Sequence, residues 1–345
     1  MHLKSKYVTF ILLSFFGLIL YAFSKITTTQ MPIYVPEGWA KPVYDFSKNP
    51  LTKEGFALGR QLFYDPILSR DNTISCASCH LQSTGFTHVD HDLSHGIDGK
   101  IGTRNSMTIM NVAWSKNFMW DGGVNHLDVQ PLAPLSNPVE MDETLEHIVQ
   151  KLNASTKYKT LFFKAFGDSV ATGQKTLLAF SQFVVHLNSY NSKYDRYIRF
   201  EVGGELTRQE LNGLQLFRTH CASCHTEPLF TNNGFENNGL PMDTSLKDLG
   251  RMRITQNPSD SLKFKVPTLR NIQFTYPYMH DGRFKKLKDV INHYANGIEH
   301  NKTLSPVLQK TIVLSANEKV DLVAFLLTLT DTQFLFDTRY GFPRE

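Results

Sequence analysis

The chain has 345 residues, with 36 Lys and Arg against 32 Asp and Glu and a formal net charge of +4. That length accommodates two domains of ordinary size, each with its own core. The charge is small and mixed along the chain, so it gives no ground for a nucleic-acid partner.

Lys4 and Lys6 precede an apolar run from Tyr7 to Phe23, and Ala22-Phe23-Ser24 offers a small-x-small cleavage position. Residues 1–24 therefore read as an export segment. The run is long for a signal core and slightly short for a spanning helix, so a cleaved signal and a retained anchor both fit. No cysteine stands where a lipoprotein anchor would need one. Residues 25–50, punctuated by Pro32, Pro36, Pro42 and Pro50, read as a tether. Helical spacing of Leu51, Gly55, Leu58, Gly59, Leu62 and Phe63 predicts a helix from Thr52 to Asp65-Pro66. A short loop leads to Cys76-Ala77-Ser78-Cys79-His80. Residues 81–106, rich in His, Gly and Asp, read as a long loop over a site.

Helices are expected over 143–166 and 170–200, the second with Leu177, Phe180, Val184 and Leu187 on one face. Val202-Gly203-Gly204 breaks the chain, which places a domain boundary near 198–206. Thr207 caps the next helix, and Glu210 completes a capping box. That helix carries Leu211, Leu214, Leu216 and Phe217 into Cys221-Ala222-Ser223-Cys224-His225. A Gly/Asn-rich loop follows residue 226, and helices return over 287–296 and 317–329. Strand signals are sparse.

The two C-A-S-C-H strings are identical and use all four cysteines. C-x-x-C-H attaches c-type haem: the thiols add across the vinyl groups, and the His ligates the iron. A dithiol redox pair or half a zinc site also uses C-x-x-C. The trailing His in both copies, and the lack of a βαβ pattern, favour haem. Two covalently bound haem c groups are expected, with His80 and His225 as proximal ligands. The expected fold is all-α: two cytochrome c-like haem domains, over 51–200 and 201–345, with long loops and little strand. Such haem attachment takes place outside the bacterial cytoplasm, in agreement with the export segment. The expected location is the periplasm.

The halves also repeat beyond these strings. Gln61-Leu62-Phe63 matches Gln215-Leu216-Phe217, and Arg104-Asn105 matches Arg270-Asn271. Phe118-Met119-Trp120-Asp121-Gly122 matches Tyr278-Met279-His280-Asp281-Gly282, with Leu127 and Leu287 each six residues after the Asp. Seven residues after those leucines stand Pro134 in the first half and Tyr294 in the second. A phenol oxygen can ligate ferric iron; proline has no side-chain donor. If both positions face iron, the second haem is closed and the first is open. An open iron can bind peroxide, whereas a closed one only passes electrons.

About residues 50–335 resemble the bacterial dihaem cytochrome c peroxidases, MauG among them. The resemblance is carried by Leu58–Ser69, Ile74–His80, Gly102–Asn105, Trp120–Gly122, Asn137–Met141, Val266–Asn271 and Tyr276–Gly282. It implies reduction of hydrogen peroxide to water with electrons from a small donor, a cytochrome c or a cupredoxin. His80 would hold the peroxidatic haem and His225 the electron-receiving one. Trp120 would relay electrons between them. Gln130 and Glu140 would line the peroxide pocket beside Pro134, with Glu140 moving a proton as base and then acid. Asn105 and the carbonyls of Thr275 and Pro277 would hold calcium, whose hardness suits oxygen ligands. The family also suggests a homodimer.

Two departures bear on mechanism. Many family members use Met as sixth ligand of the electron-receiving haem; here Tyr294 stands there, as in MauG, with Met279 and His293 as rivals. An anionic phenolate would lower that haem's potential. In some members a loop His blocks the peroxidatic haem at rest; His95 falls near that place, with His88 and His91 as bystanders or rivals. A MauG-like oxidase acting on a protein side chain, and a plain dihaem electron carrier, are the alternative functions. Plainer roles also exist: Trp120 as a core aromatic, Glu140 as cap of a helix near Asp142, Gln130 in solvent, Tyr294 as a packing residue, His95 as an ordinary loop residue. His126, His147, His186 and His300 read as surface residues.

Overall fold

The computed structural model describes residues 27–344. The export segment expected at residues 1–24 lies outside the described residues. Helix α1 (Lys53–Tyr64) begins where Thr52 accepts a hydrogen bond from the Gly55 amide, and it ends before Pro66. The single turn α2 (Cys76–Cys79) carries the first haem motif. Then come α3 (Leu132–Ser136), α4 (Leu145–Ala154), α5 (Thr156–Phe166), α6 (Gly173–Val184) and α7 (Lys193–Ile198). The capping box of Thr207 and Glu210 starts α8 (Arg208–His220). Strand β1 (Phe235–Glu236) pairs antiparallel, across α9 (Met252–Thr255), with β2 (Phe264–Lys265). Helix α10 (Leu287–Asn292) runs into a π-turn at His293–Gly297, and α11 (Ala316–Leu327) and α12 (Thr332–Phe336) complete the chain. The all-α expectation holds.

The two long helices expected in the first half are each divided. At Ser155 the backbone turns extended, and its hydroxyl caps α5 by accepting from the Tyr158 amide. Between α6 and α7, polar side chains capture the backbone donors that a helix would use. Asn111 accepts from the Ser189 amide, and Asp331 accepts from the amides of Tyr190 and Asn191.

Each half is built on one helix crossing. Helix α1 crosses α6, and a Cβ on Gly59 would lie 1.9 Å from the Ala179 carbonyl oxygen. Helix α8 crosses α11, and a Cβ on Gly213 would lie 2.0 Å from the Asp321 carbonyl oxygen. Both glycines begin a G-x-Q-L-F string, so the structural repeat starts two residues before the expected one. The first core gathers Leu58, Leu62, Phe63, Phe86, Phe180 and Phe183, and C-terminal Phe334, Leu335 and Tyr340 return to join it. The second gathers Phe217, Phe230, Ile291 and Phe325, with Tyr194 from before the chain break.

Residues ahead of α1 lie against the body. Val43 and Tyr44 donate to the Ala113 carbonyl, and Trp39 packs on both Trp114 and the Arg270 guanidinium. His186 corrects the surface position expected for it. It is buried, with its ring nitrogens 2.6 Å from the Gln182 carbonyl and 2.7 Å from that of Met31.

Candidate active site

Both C-x-x-C-H strings form tight turns: the His80 amide donates to Cys76, and the His225 amide to Cys221. His80 Nδ1 lies 2.9 Å from the Phe86 carbonyl, and His225 Nδ1 lies 3.1 Å from those of Phe230 and Pro267. A carbonyl accepts only, so Nδ1 carries the hydrogen in each ring and Nε2 keeps its lone pair. Burial lowers both imidazole pKa values, that of His225 to about 4. The imidazoles are therefore neutral at pH 7, as ligation requires.

Burial pushes the Cys76 and Cys221 thiols up to about 12 and Cys79 to about 11, and raises Cys224 as well. Thiols held neutral are poor zinc ligands and poor redox nucleophiles. They are in keeping with thioether attachment. Each motif opens on an apolar-walled cavity, of about 510 Å³ at Cys76, Cys79 and His80 and about 220 Å³ at Cys221, Cys224 and His225. Paired thiols, one imidazole lone pair and an apolar cavity fit c-type haem at both places.

The two cavities share a wall. Asn105, Met107, Trp120, Lys265 and Pro267 line both. Trp120 Nε1 donates to the Asn105 carbonyl at 2.8 Å, and the Lys265 amide donates to the Trp120 carbonyl at 2.7 Å. The indole is thus fixed at both its ring and its backbone, between the cavities.

The remaining walls differ. Gln130, Pro134 and Glu140 line the His80 cavity. Burial raises the Glu140 pKa, partly opposed by a hydrogen bond from Asn137 Nδ2 at 2.7 Å. Helix α4 is capped by Thr144, so the capping role considered for Glu140 is absent. Tyr294 and Met279 line the His225 cavity. His293 faces elsewhere, with Nε2 at 3.1 Å from the Asn238 carbonyl. Burial pushes the Tyr294 phenol up to about 12.

Methionines at matching repeat positions face an amide in each cavity. Gln130 Nε2 lies 3.7 Å from Met119 Sδ, and Asn238 Nδ2 lies 3.6 Å from Met279 Sδ. Asn238 was not foreseen, because no motif marks it within the Gly/Asn-rich loop after residue 226.

His95 lines the His80 cavity, but it is not alone. Its ring lies 4.1 Å from that of His91 and 6.3 Å from that of His88, and His91 Nδ1 lies 3.0 Å from His88 Nε2. Among the described residues no group of three or more His, Cys, Asp or Glu is placed to hold a metal ion. Asn105, Thr275 and Pro277 line one cavity together. Asn105 Nδ2 donates to the Asp92 carbonyl at 3.1 Å, which leaves its Oδ1 available.

Residues 53–202 match the family model for di-haem cytochrome c peroxidase, and residues 211–330 match that for cytochrome c. The methylamine utilization protein MauG of Methylorubrum extorquens is 35% identical over 295 residues, covering 81% of this chain and 79% of its own. Cytochrome c551 peroxidase of Nitrosomonas europaea is 35% identical over 281 residues, covering 80% of each chain. The crystal structure of a MauG-like protein associated with microbial copper homeostasis superposes with a TM-score of 0.83 at 31% identity, covering 91% of this chain and 99% of the other. The dihaem peroxidase BthA of Burkholderia thailandensis shares the fold, with a TM-score of 0.70 at 23% identity over 93% of this chain and 95% of its own.

Proposed function

The chain belongs to the dihaem cytochrome c peroxidase family, MauG relatives included, and from that premise we propose that it reduces hydrogen peroxide to water with electrons from a small redox protein. The observation that carries this is the unequal lining of two otherwise matched cavities. Where the His225 cavity has the Tyr294 phenol, the matching repeat position in the His80 cavity is Pro134, and Gln130 and Glu140 line only the His80 cavity.

Bound haem supplies the redox-active iron, and the chain supplies the rest. Glu140 takes a proton from one peroxide oxygen and returns it to the other, as base and then acid. Gln130 orients peroxide or a pocket water through its amide. Peroxide, two electrons and two protons give two waters. Trp120, held between the cavities, bridges the electron path from the His225 side.

The donor is a small cytochrome c or cupredoxin, the working location is the periplasm, and the protein pairs as a homodimer. Calcium takes Asn105 Oδ1 and the carbonyls of Thr275 and Pro277, with water completing a shell of roughly six to eight oxygens. Support for the calcium site is the common cavity wall of these three residues.

Tyr294 and the MauG relatives favour a second reading, oxidation of a protein side chain. Peroxide is added to the dihaem protein with a reduced small cytochrome or cupredoxin. A peroxidase oxidises two donors per peroxide. A side-chain oxidase, given a protein substrate whose side chain supplies the two electrons, consumes peroxide and leaves the donors reduced, and an electron carrier consumes no peroxide.

A further inference from the structure

Lys265 ends β2 in the wall between the cavities and is only 7% exposed. Its Nζ has one hydrogen-bond partner, Asn233 Oδ1 at 3.2 Å, a neutral amide. Among the described residues no carboxylate stands within ion-pair distance of it. Asp121, which lines the His80 cavity with it, pairs with Arg104 at 2.6 Å, and Glu236, next to its cross-strand partner Phe235, lies beyond ion-pair distance. The neighbouring charge is a second cation. The Arg251 guanidinium sits 4.0 Å from the Phe235 ring centre, and Lys265 Nζ sits 5.8 Å from the same ring. Arg251 itself donates to a backbone carbonyl, that of Asp121, at 3.2 Å.

A buried ammonium with no counter-charge is costly, because burial removes its hydration. Burial, and then Arg251, lower the Lys265 pKa to about 8, which still leaves most of the amine charged at pH 7. Something anionic is missing from this corner of the wall. Haem brings two carboxylates of its own, on its propionates. Asn233, the one partner of Nζ, lines the His80 cavity and not the other. The amine end is therefore directed to the His80 side.

We propose that Lys265 is the counter-cation for a propionate of the haem held by His80, and that its charge holds that haem's potential up. A fixed cation favours the reduced haem, whose net charge is one unit more negative. The proposal rests on the two-haem reading of the cavities and not on peroxidase activity.

The test uses the full-length dihaem protein, with K265M, K265Q and K265R, haem counting and spectroelectrochemical titration. K265M and K265Q, each with two haems, should shift the reduction equilibrium of the His80 haem about tenfold toward ferric, which is 59 mV for one electron. K265R should match the parent. Failure of K265M and K265Q to load haem, with K265R fully loaded, also supports the pairing, since K265R alone keeps the charge. Unchanged potentials in a two-haem K265M or K265Q overturn it, as does a shift confined to the His225 haem. A parent protein without two haems would sink the underlying reading instead.

Discussion

Tyr294 and Met279 meet on one amide: Asn238 Nδ2 lies 3.3 Å from the Tyr294 phenol oxygen and 3.6 Å from Met279 Sδ. Both side chains thus stand in the His225 cavity, held at the same corner. The His80 cavity repeats half of this arrangement. Gln130 meets Met119, but the position matching Tyr294 is Pro134, which brings no donor. The repeat keeps the methionine and exchanges Tyr294 for Pro134, while the amide comes from a different place in each half. On the proposed function, that exchange would separate a site for peroxide from a site for electrons.

Glu140 is the proton carrier in this account, and E140Q keeps its shape while removing its basicity. Turnover of peroxide should fall about 10²–10⁴-fold, with both haems still attached. Steady-state kinetics beside a haem count measures both. The base must be ionised, and burial raises its pKa above the ordinary 4.5. Activity of the parent should therefore fall as pH drops through a value higher than 4.5. An acid limb at or below 4.5 would contradict the role.

Asp195 and Arg270 form a buried ion pair beneath the second core, at 2.7 and 2.8 Å, with the Arg270 side chain fully buried. D195N leaves that guanidinium without its counter-charge, and should destabilise the fold by about 3–5 kcal/mol. Burial pushes the Asp195 pKa up, but Arg270 and Ser192 outweigh it, and the net value lies below 3.8. A depressed folded pKa gives stability that is present above the unfolded value and lost as pH falls through the folded one. Thermal melts from pH 7 to pH 3 should show this loss in the parent and little of it in D195N. Identical pH dependence in the two proteins would refute it.

Gly59 and Gly213 let helices cross at backbone contact. A methyl group at either would overlap a carbonyl oxygen of the facing helix, at 1.9 and 2.0 Å. G59A and G213A should each cost about 1–3 kcal/mol, by overpacking. Differential scanning calorimetry should show a lowered transition for both. A neutral result at either site would mean that the crossing relaxes freely.

Much of this was legible in the residues. The C-x-x-C-H strings name their own chemistry, and the Asp-Gly-Leu frame locates Pro134 against Tyr294 without a structure. Helix α8 was readable because Thr207 and Glu210 announce its start. The rest depended on contacts distant in sequence. Asp331 ends the expected 170–200 helix from 140 residues away, by accepting the Asn191 amide. His186 looked like a surface residue because its neighbours, the Gln182 and Met31 carbonyls, leave no side-chain signature. Asn238 stayed hidden in a Gly/Asn-rich loop where no motif marks it. The G-x-Q-L-F strings were visible throughout, but the need for glycine becomes plain only when the facing carbonyl is seen.

On the proposed function, one haem is open and the other is closed by Tyr294. Electron paramagnetic resonance of the resting ferric dihaem protein, beside Y294F, tests it most directly. The parent should give one high-spin and one low-spin signal, with only the low-spin signal altered in Y294F. Two low-spin signals in the parent, or a Y294F spectrum identical to it, would contradict the account.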